Sequence, residues 1–320
     1  MKNGLPEDKQ LPVGEGVGRP VRQRNAQRRY IDFAKETTGV RLDGLHIVVD
    51  CAQGASYEVA PAVLQELGAK VSAYYHEPDG TNINENCGST HPERLCELVR
   101  ELGADVGLAF DGDADRLMAV DERGRVVNGD QVMCICANHL KQQGRLRNNT
   151  LVTTIMSNMG LDLALKKLGI QNVKTRVGDR YVLENMLANN YSLGGEQSGH
   201  VIFLDYNTTG DGLITALQLL TVIVESKQSL SRLARIMEVL PQALYGAHVS
   251  DARKYDYDKD ETILASIAAL EKKYEGRGRV LVRASGTEPI VRVMIEGPDQ
   301  HEMDQDVYDL AKLIERRLNG

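Results

Sequence analysis

Apolar positions recur along this chain in two rhythms. Short continuous runs, His46-Ile-Val-Val-Asp50, Val106–Phe110 and Leu151–Ile155, are bounded by turn residues, as buried strands are. Longer segments predict helices near Tyr30–Thr37 and at Pro92–Leu102, Leu161–Leu168, Glu261–Tyr274 and about Glu302–Leu318. Leu45–Val71 reads strand, glycine-containing turn, helix, Leu67-Gly68, strand, and Thr150–Val173 repeats that layout with Gly160 and Gly169 as its glycines. Each is a parallel strand–helix–strand unit, and the repetition predicts two similar mixed α/β domains. Helices from Gly212 to Val239 close the second, and Pro241 marks a boundary. From Leu244 the rhythm changes: a helix, two β-rich runs (Arg279–Arg283 and Ile290–Glu296) and a final amphipathic helix predict a smaller α+β C-terminal domain. The expected organisation is a tail or connection over 1–38, α/β domains over 39–145 and 146–243, and the α+β domain over 244–320.

Composition adds exclusions. A net charge of −7 over 320 residues gives a nucleic-acid backbone little to hold on to. The longest apolar run, Leu213–Val224, contains Thr and Gln and is too short to cross a bilayer, so no membrane partner is expected. Residues 1–30 mix Arg with Glu, Asp, Gly and Pro and show no signal peptide. Five cysteines without a Cys-x-x-Cys pair suit reduced thiols in the cytoplasm. Nothing in the pattern excludes a homo-oligomer.

The densest chemistry lies in Val106-Gly-Leu-Ala-Phe-Asp-Gly-Asp-Ala-Asp-Arg116. Asp111, Asp113 and Asp115 crowd like charges at a strand end, and their repulsion calls for a cation. Oxygen-only ligands favour a hard ion, Mg²⁺, and Arg116 adds a fork for a phosphate oxygen. Three rivals stand beside this reading. An EF-hand would need Gly at its sixth position, where Arg116 stands, and helices rather than strands on both sides. An Asp-x-Asp phosphatase would need a later acidic pair that the chain lacks. The third is a solvated acidic turn.

Two further loops stand out. Arg283-Ala-Ser-Gly-Thr-Glu-Pro289 combines small residues, the hydroxyls of Ser285 and Thr287, Gly286, and the charges of Arg283 and Arg292. That density of donors suits a dianionic phosphate better than a plain Gly-Pro hairpin does. Gly194-Gly-Glu-Gln-Ser-Gly-His200 could present Glu196 and Ser198 to the hydroxyls or amine of a sugar, or be a Gly-rich turn around a satisfied histidine. In Gly178-Asp-Arg180, Arg180 either touches substrate or closes a turn. Ser89 near His91 mimics a nucleophile loop, but Thr90 and Glu93 have capping-box spacing before a helix that starts at Pro92.

Taken in order, the acidic, Gly-Glu-Gln-Ser-Gly-His and Arg-Ala-Ser-Gly-Thr-Glu-Pro loops resemble those of the α-D-phosphohexomutase superfamily. The likeness to its phosphoglucosamine mutase family is closer still and covers nearly the whole chain, including Glu77–Asn84, Met156–Gly160 and Gly178–Glu184. The resemblance implies Mg²⁺ on Asp111, Asp113 and Asp115, with Arg116 steadying a phosphoserine. It implies a phosphosugar substrate held by Glu196 and Ser198, with Arg180 and His200 beside them. The distal phosphate falls to Arg283, Ser285, Gly286, Thr287 and Arg292. The reaction implied interconverts glucosamine 6-phosphate and glucosamine 1-phosphate through a 1,6-bisphosphate, on the way to UDP-N-acetylglucosamine. The family's nucleophile serine sits in a preceding domain, in Thr-Ala-Ser-His-Asn-Pro or a close relative, and no such segment occurs here. A truncated chain, inactive alone, is therefore expected. A phosphomannomutase or phosphoglucomutase, or a non-catalytic sugar-phosphate-binding fragment, are the alternatives.

Overall fold

The computed structural model describes residues 13–19, 23, 25–286 and 288–319. Helix α1 (Ala26–Glu36) leads into β1 (His46–Asp50), α2 (Val59–Glu66), β2 (Lys70–Tyr74), α3 (Glu93–Leu102), β3 (Val106–Phe110), β4 (Leu117–Asp121) and β5 (Val126–Val127). The sheet runs β2-β1-β3-β4-β5, parallel through β3 and antiparallel beyond. All five residues of β3 are buried, because the strand lies mid-sheet with helices on both faces. Helix α3 buries Leu95, Leu98 and Val99, spaced three and four apart, and stops at Gly103 in the left-handed conformation.

The second unit contains α4 (Gly129–Gln142), β6 (Thr150–Thr154), α5 (Met159–Leu168), β7 (Gln171–Thr175), α6 (Asp179–Asn189), β8 (Leu193–Gly195), β9 (Val201–Phe203), α7 (Gly212–Ser226) and α8 (Leu230–Leu233). Its sheet order, β7-β6-β8-β9, repeats the first four strands of the other sheet with the same parallel and antiparallel steps. One continuous apolar core joins both units. The third unit pairs β10 (Gln242–His248), β12 (Ile290–Glu296) and β11 (Arg279–Ala284), in that order and antiparallel. Helices α9 (Glu261–Tyr274) and α10 (Gln300–Asn319) cover one face over a separate core. The two similar α/β units followed by a smaller C-terminal one are thus as expected. No described helix is long and apolar enough to cross a membrane, and all five cysteines are free.

The structure corrects four local expectations. Residues 26–36 are no tail: α1 buries Ile31 and Ala34 and packs on α2 and α7. Helix α4, assigned from sequence to the first unit, packs on α5, α7 and β8, so the division falls near Asn128 rather than 145. Strand β10 starts at Gln242, ahead of the expected boundary at 244. Thr90 caps nothing: the N-cap of α3 is Pro92, two residues later, and the helix has no side-chain cap.

Candidate functional site

Each of the three loops singled out by sequence is the turn of a β-hairpin. The acidic loop joins β3 to β4, the Gly-Glu-Gln-Ser-Gly-His loop joins β8 to β9, and the arginine turn joins β11 to β12. Strands on both sides of Asp111–Arg116 exclude the EF-hand.

The acidic hairpin is gripped from all sides. A Cβ on Gly54 would overlap the backbone of Gly112, whose carbonyl accepts from the Ala55 N–H at 2.9 Å. The side chains of Ile83 and Asn84 close over Gly112 and would have to shift to admit a Cβ there. The Gly212 N–H, in the first turn of α7, donates to the Ala114 carbonyl at 2.9 Å. Ala52, Gln53, Tyr75, Asn84, Asn86 and Ala114 all hold positive φ around this end of the sheet. Such conformations cost on the order of 1 kcal/mol each and persist where their surroundings fix them. Buried Asp50 ties the platform together, accepting from the N–H groups of Ala52 and Gly88 at 2.8 Å each; burial raises its pKa.

Within the hairpin, Asp111 accepts from the Arg116 N–H at 3.1 Å, and burial followed by the neighbouring Asp115 raises its pKa. Asp115 Oδ1 and Arg116 Nε face each other across 3.8 Å, both buried and neither hydrogen-bonded. An orphaned carboxylate oxygen in an oxygen-only donor set suits a hard cation. Asp113 is exposed, however, and no three Asp, Glu, His or Cys groups among the described residues stand close enough to hold a metal.

The second hairpin is fastened to the first. Arg116 and His200 form a β-bridge, and the Leu117 N–H donates to the Gly199 carbonyl at 3.1 Å. Buried His200 accepts from the Gly210 N–H at Nε2, 3.1 Å away, which leaves its proton on Nδ1, 3.2 Å from Asp115 Oδ2. His200 is therefore a strut behind the acidic loop, and Gly210 is required because a Cβ there would overlap the imidazole. Glu196 accepts from the Gly178 N–H at 3.0 Å through one oxygen, and the other has no partner among the described residues. Glu196, Gln197 and Ser198 line a cleft of about 400 Å³ with Met118, Asn128, Thr154, Met156 and Val177. Arg180 does not join them; it is 71% exposed and pairs with Glu184 one turn along α6.

In the third hairpin Arg283 lies directly across the ladder from Arg292. Like charges in register repel, and an anion between them would relieve this. Burial, then Arg292, lowers the Arg283 pKa. Arg292 pairs with Glu288, and Ser285, nearly buried, accepts from the Glu288 N–H at 3.2 Å. Gly286 has open space around it, and Thr287 lies outside the described residues. Reading the sequence missed Met118, Asn128, Thr154, Met156 and Val177 as cleft residues. Two carried a signal: Asn128, through the Asn128/Gln131 capping box that starts α4, and Met156, which opens the Met156–Gly160 segment of the family resemblance.

Comparison with known proteins follows the same division. Phosphoglucomutase/phosphomannomutase alpha/beta/alpha domain II matches residues 28–124, alpha/beta/alpha domain III matches 128–240, and the C-terminal domain of that family matches 219–313. Phosphoglucosamine mutase of Clostridium kluyveri is 55% identical over 98% of this chain and 70% of its own length. That of Thermoanaerobacter pseudethanolicus is 56% identical over 96% and 69%. Among solved structures, Aspergillus fumigatus N-acetylphosphoglucosamine mutase in complex with GlcNAc-6P and magnesium superposes with a TM-score of 0.75 at 19% identity, covering 92% of this chain and 66% of that one. A phosphoglucomutase/phosphomannomutase family protein from Burkholderia thailandensis gives 0.75 at 21%, covering 91% and 64%. The chain thus spans under two thirds of these solved structures, and at such identities they show the fold alone.

Proposed function

Because this chain belongs to the phosphoglucomutase/phosphomannomutase family, with phosphoglucosamine mutases as its relatives, we propose that its three hairpins form the sugar-phosphate side of a phosphoglucosamine mutase. The substrates would be glucosamine 6-phosphate and glucosamine 1-phosphate, exchanged through a 1,6-bisphosphate in the cytoplasm. The observation that carries this reading is the Arg116–His200 bridge, which sets the acidic hairpin beside the cleft lined by Glu196 and Ser198.

Each residue has a task in that scheme. Arg283 and Arg292 clamp the phosphate that is not reacting, with Ser285 and Gly286 closing the turn around it. The free oxygen of Glu196 faces the ring, where it suits an ammonium better than a hydroxyl. Arg116 steadies the phosphoryl group in transfer. Asp111 and Asp115 would hold Mg²⁺ once Asp113 turns in from solvent to join them, and the ion would supply positive charge against the phosphoryl oxygens. His200 keeps Asp115 oriented without touching the substrate.

Calorimetric titration with glucosamine 6-phosphate, glucose 6-phosphate and mannose 6-phosphate in Mg²⁺ tests the reading. The amino sugar should bind tightest, and Glu196→Gln should cost it about tenfold or more, as loss of a charged hydrogen bond does. Equal affinity for all three sugars would favour a phosphomannomutase or phosphoglucomutase.

A further inference from the structure

The loop after β6, Thr154–Gly160, has two faces with different tasks. Thr154 and Met156 line the cleft beside Glu196. The intervening groups turn away into a buried knot. Arg279 donates to the Ile155 carbonyl at 3.0 Å and the Ser157 carbonyl at 2.6 Å, and it pairs with Glu296, which is fully buried. Glu296 also accepts from the Met159 N–H at 3.1 Å and the Asn158 side chain at 3.2 Å. Asn158 exchanges hydrogen bonds with both backbone groups of Leu240, 2.9 and 3.0 Å away, and its N–H reaches Asp130 at 2.7 Å.

This knot is where the C-terminal unit docks on the second one. Arg279 and Glu296 are cross-strand partners, as are Arg283 and Arg292 four residues along the same ladder. Alternation puts both pairs on one face of the sheet, because Val291, Val293 and Ile295 fill the core on the other. The two pairs are therefore fixed to one rigid ladder about 13 Å apart. In the same knot Asp130 Oδ1 and Ser157 Oγ are buried without hydrogen-bond partners.

We propose that Arg279, Glu296 and Asn158 are positioning residues which, through the Thr154–Gly160 loop, set the distance between the sugar cleft and the Arg283/Arg292 pair. Naming a phosphosugar as the ligand rests on the function proposed above. None of the three residues lines the cleft or belongs to the arginine pair. Their replacement should leave each half-site intact while spoiling the grip on a ligand that spans both.

The test uses the whole chain with Arg279→Met and Glu296→Gln combined, so that the Glu296 carboxylate is not left buried without its arginine. Small-angle scattering should show a larger radius of gyration. Affinity for inorganic phosphate should hold within twofold, while that for glucosamine 6-phosphate falls by about tenfold or more, since a two-point grip is lost. Unchanged scattering, or equal losses for phosphate and phosphosugar, would overturn the proposal. If the unmodified chain binds phosphate but no phosphosugar, the mutase reading falls, while scattering still decides whether the knot positions the C-terminal unit. Should the paired variant not fold by circular dichroism, Asn158→Ala, which removes the side-chain bonds to Leu240 and Glu296, is measured in its place and judged by the same outcomes.

Discussion

The two α/β units share strand order, strand direction and the hairpin position that bears chemistry, yet their hairpins present different sets of groups in different settings. In the first unit the turn after the third strand is Asp-Gly-Asp-Ala-Asp-Arg, held at left-handed Ala114 and packed against glycines that admit no Cβ. In the second unit the equivalent turn offers Glu196 and Ser198 to an open cleft, with His200 turned back as a support. A duplicated framework thus fixes where reactive groups stand, and the composition of the hairpin decides what they do. The rigid, strained hairpin suits charge that must be pre-arranged; the open one suits selection among sugars.

Substitutions can break this contrast. The largest effect should come from Gly54→Ala, whose new methyl would enter the backbone of Gly112. A loss of about 3 kcal/mol in urea unfolding is expected, against under 0.5 kcal/mol for Gly286→Ala in the open arginine turn. Next, Arg292→Ala should weaken inorganic phosphate binding by about tenfold or more, read by calorimetry, because a charged hydrogen bond is lost. It should also stabilise the ligand-free fold by a few tenths of a kcal/mol through relief of Arg283, offset by the lost Glu288 pair.

Asp130 sharpens the comparison from the docking side. Burial pushes its pKa up to about 6, moderated by the Asn158 N–H. The folded chain holds this proton more tightly than the unfolded one. The stabilising contribution is therefore full below about pH 4 and is lost as pH rises through 6. Asp130→Asn should raise stability by about 2 kcal/mol at pH 8 and change little at pH 4, measured by thermal unfolding at the two pH values. The smallest effect belongs to Ser89→Ala, expected within 0.5 kcal/mol and without influence on phosphosugar affinity; a larger loss of binding would promote the loop set aside here as structural.

Much of this was legible before the structure. Continuous apolar strands and the repeated strand–helix–strand spacing announced the paired α/β units, because both depend on local pattern. Glu261–Tyr274 emerged with the expected bounds. Helix α6 did not emerge, since its polar sequence buries only Val182 and Met186. The start of α3 depended on where neighbouring backbone settled, and Thr90 misled for that reason. The arginine pair was visible as composition, but its cross-strand register was not. The Asp115–His200 contact and the Arg279 knot join residues 85 and about 120 positions apart, beyond the reach of any local rule.

The central claim is that the second and third hairpins grip opposite ends of one phosphosugar. A double-mutant cycle on glucosamine 6-phosphate affinity, with Glu196→Gln, Arg292→Ala and both together, addresses it most directly. The account predicts that each variant weakens binding about tenfold or more and that the combined loss is close to the sum of the two free energies. An affinity untouched by either substitution would place the ligand elsewhere and contradict the account.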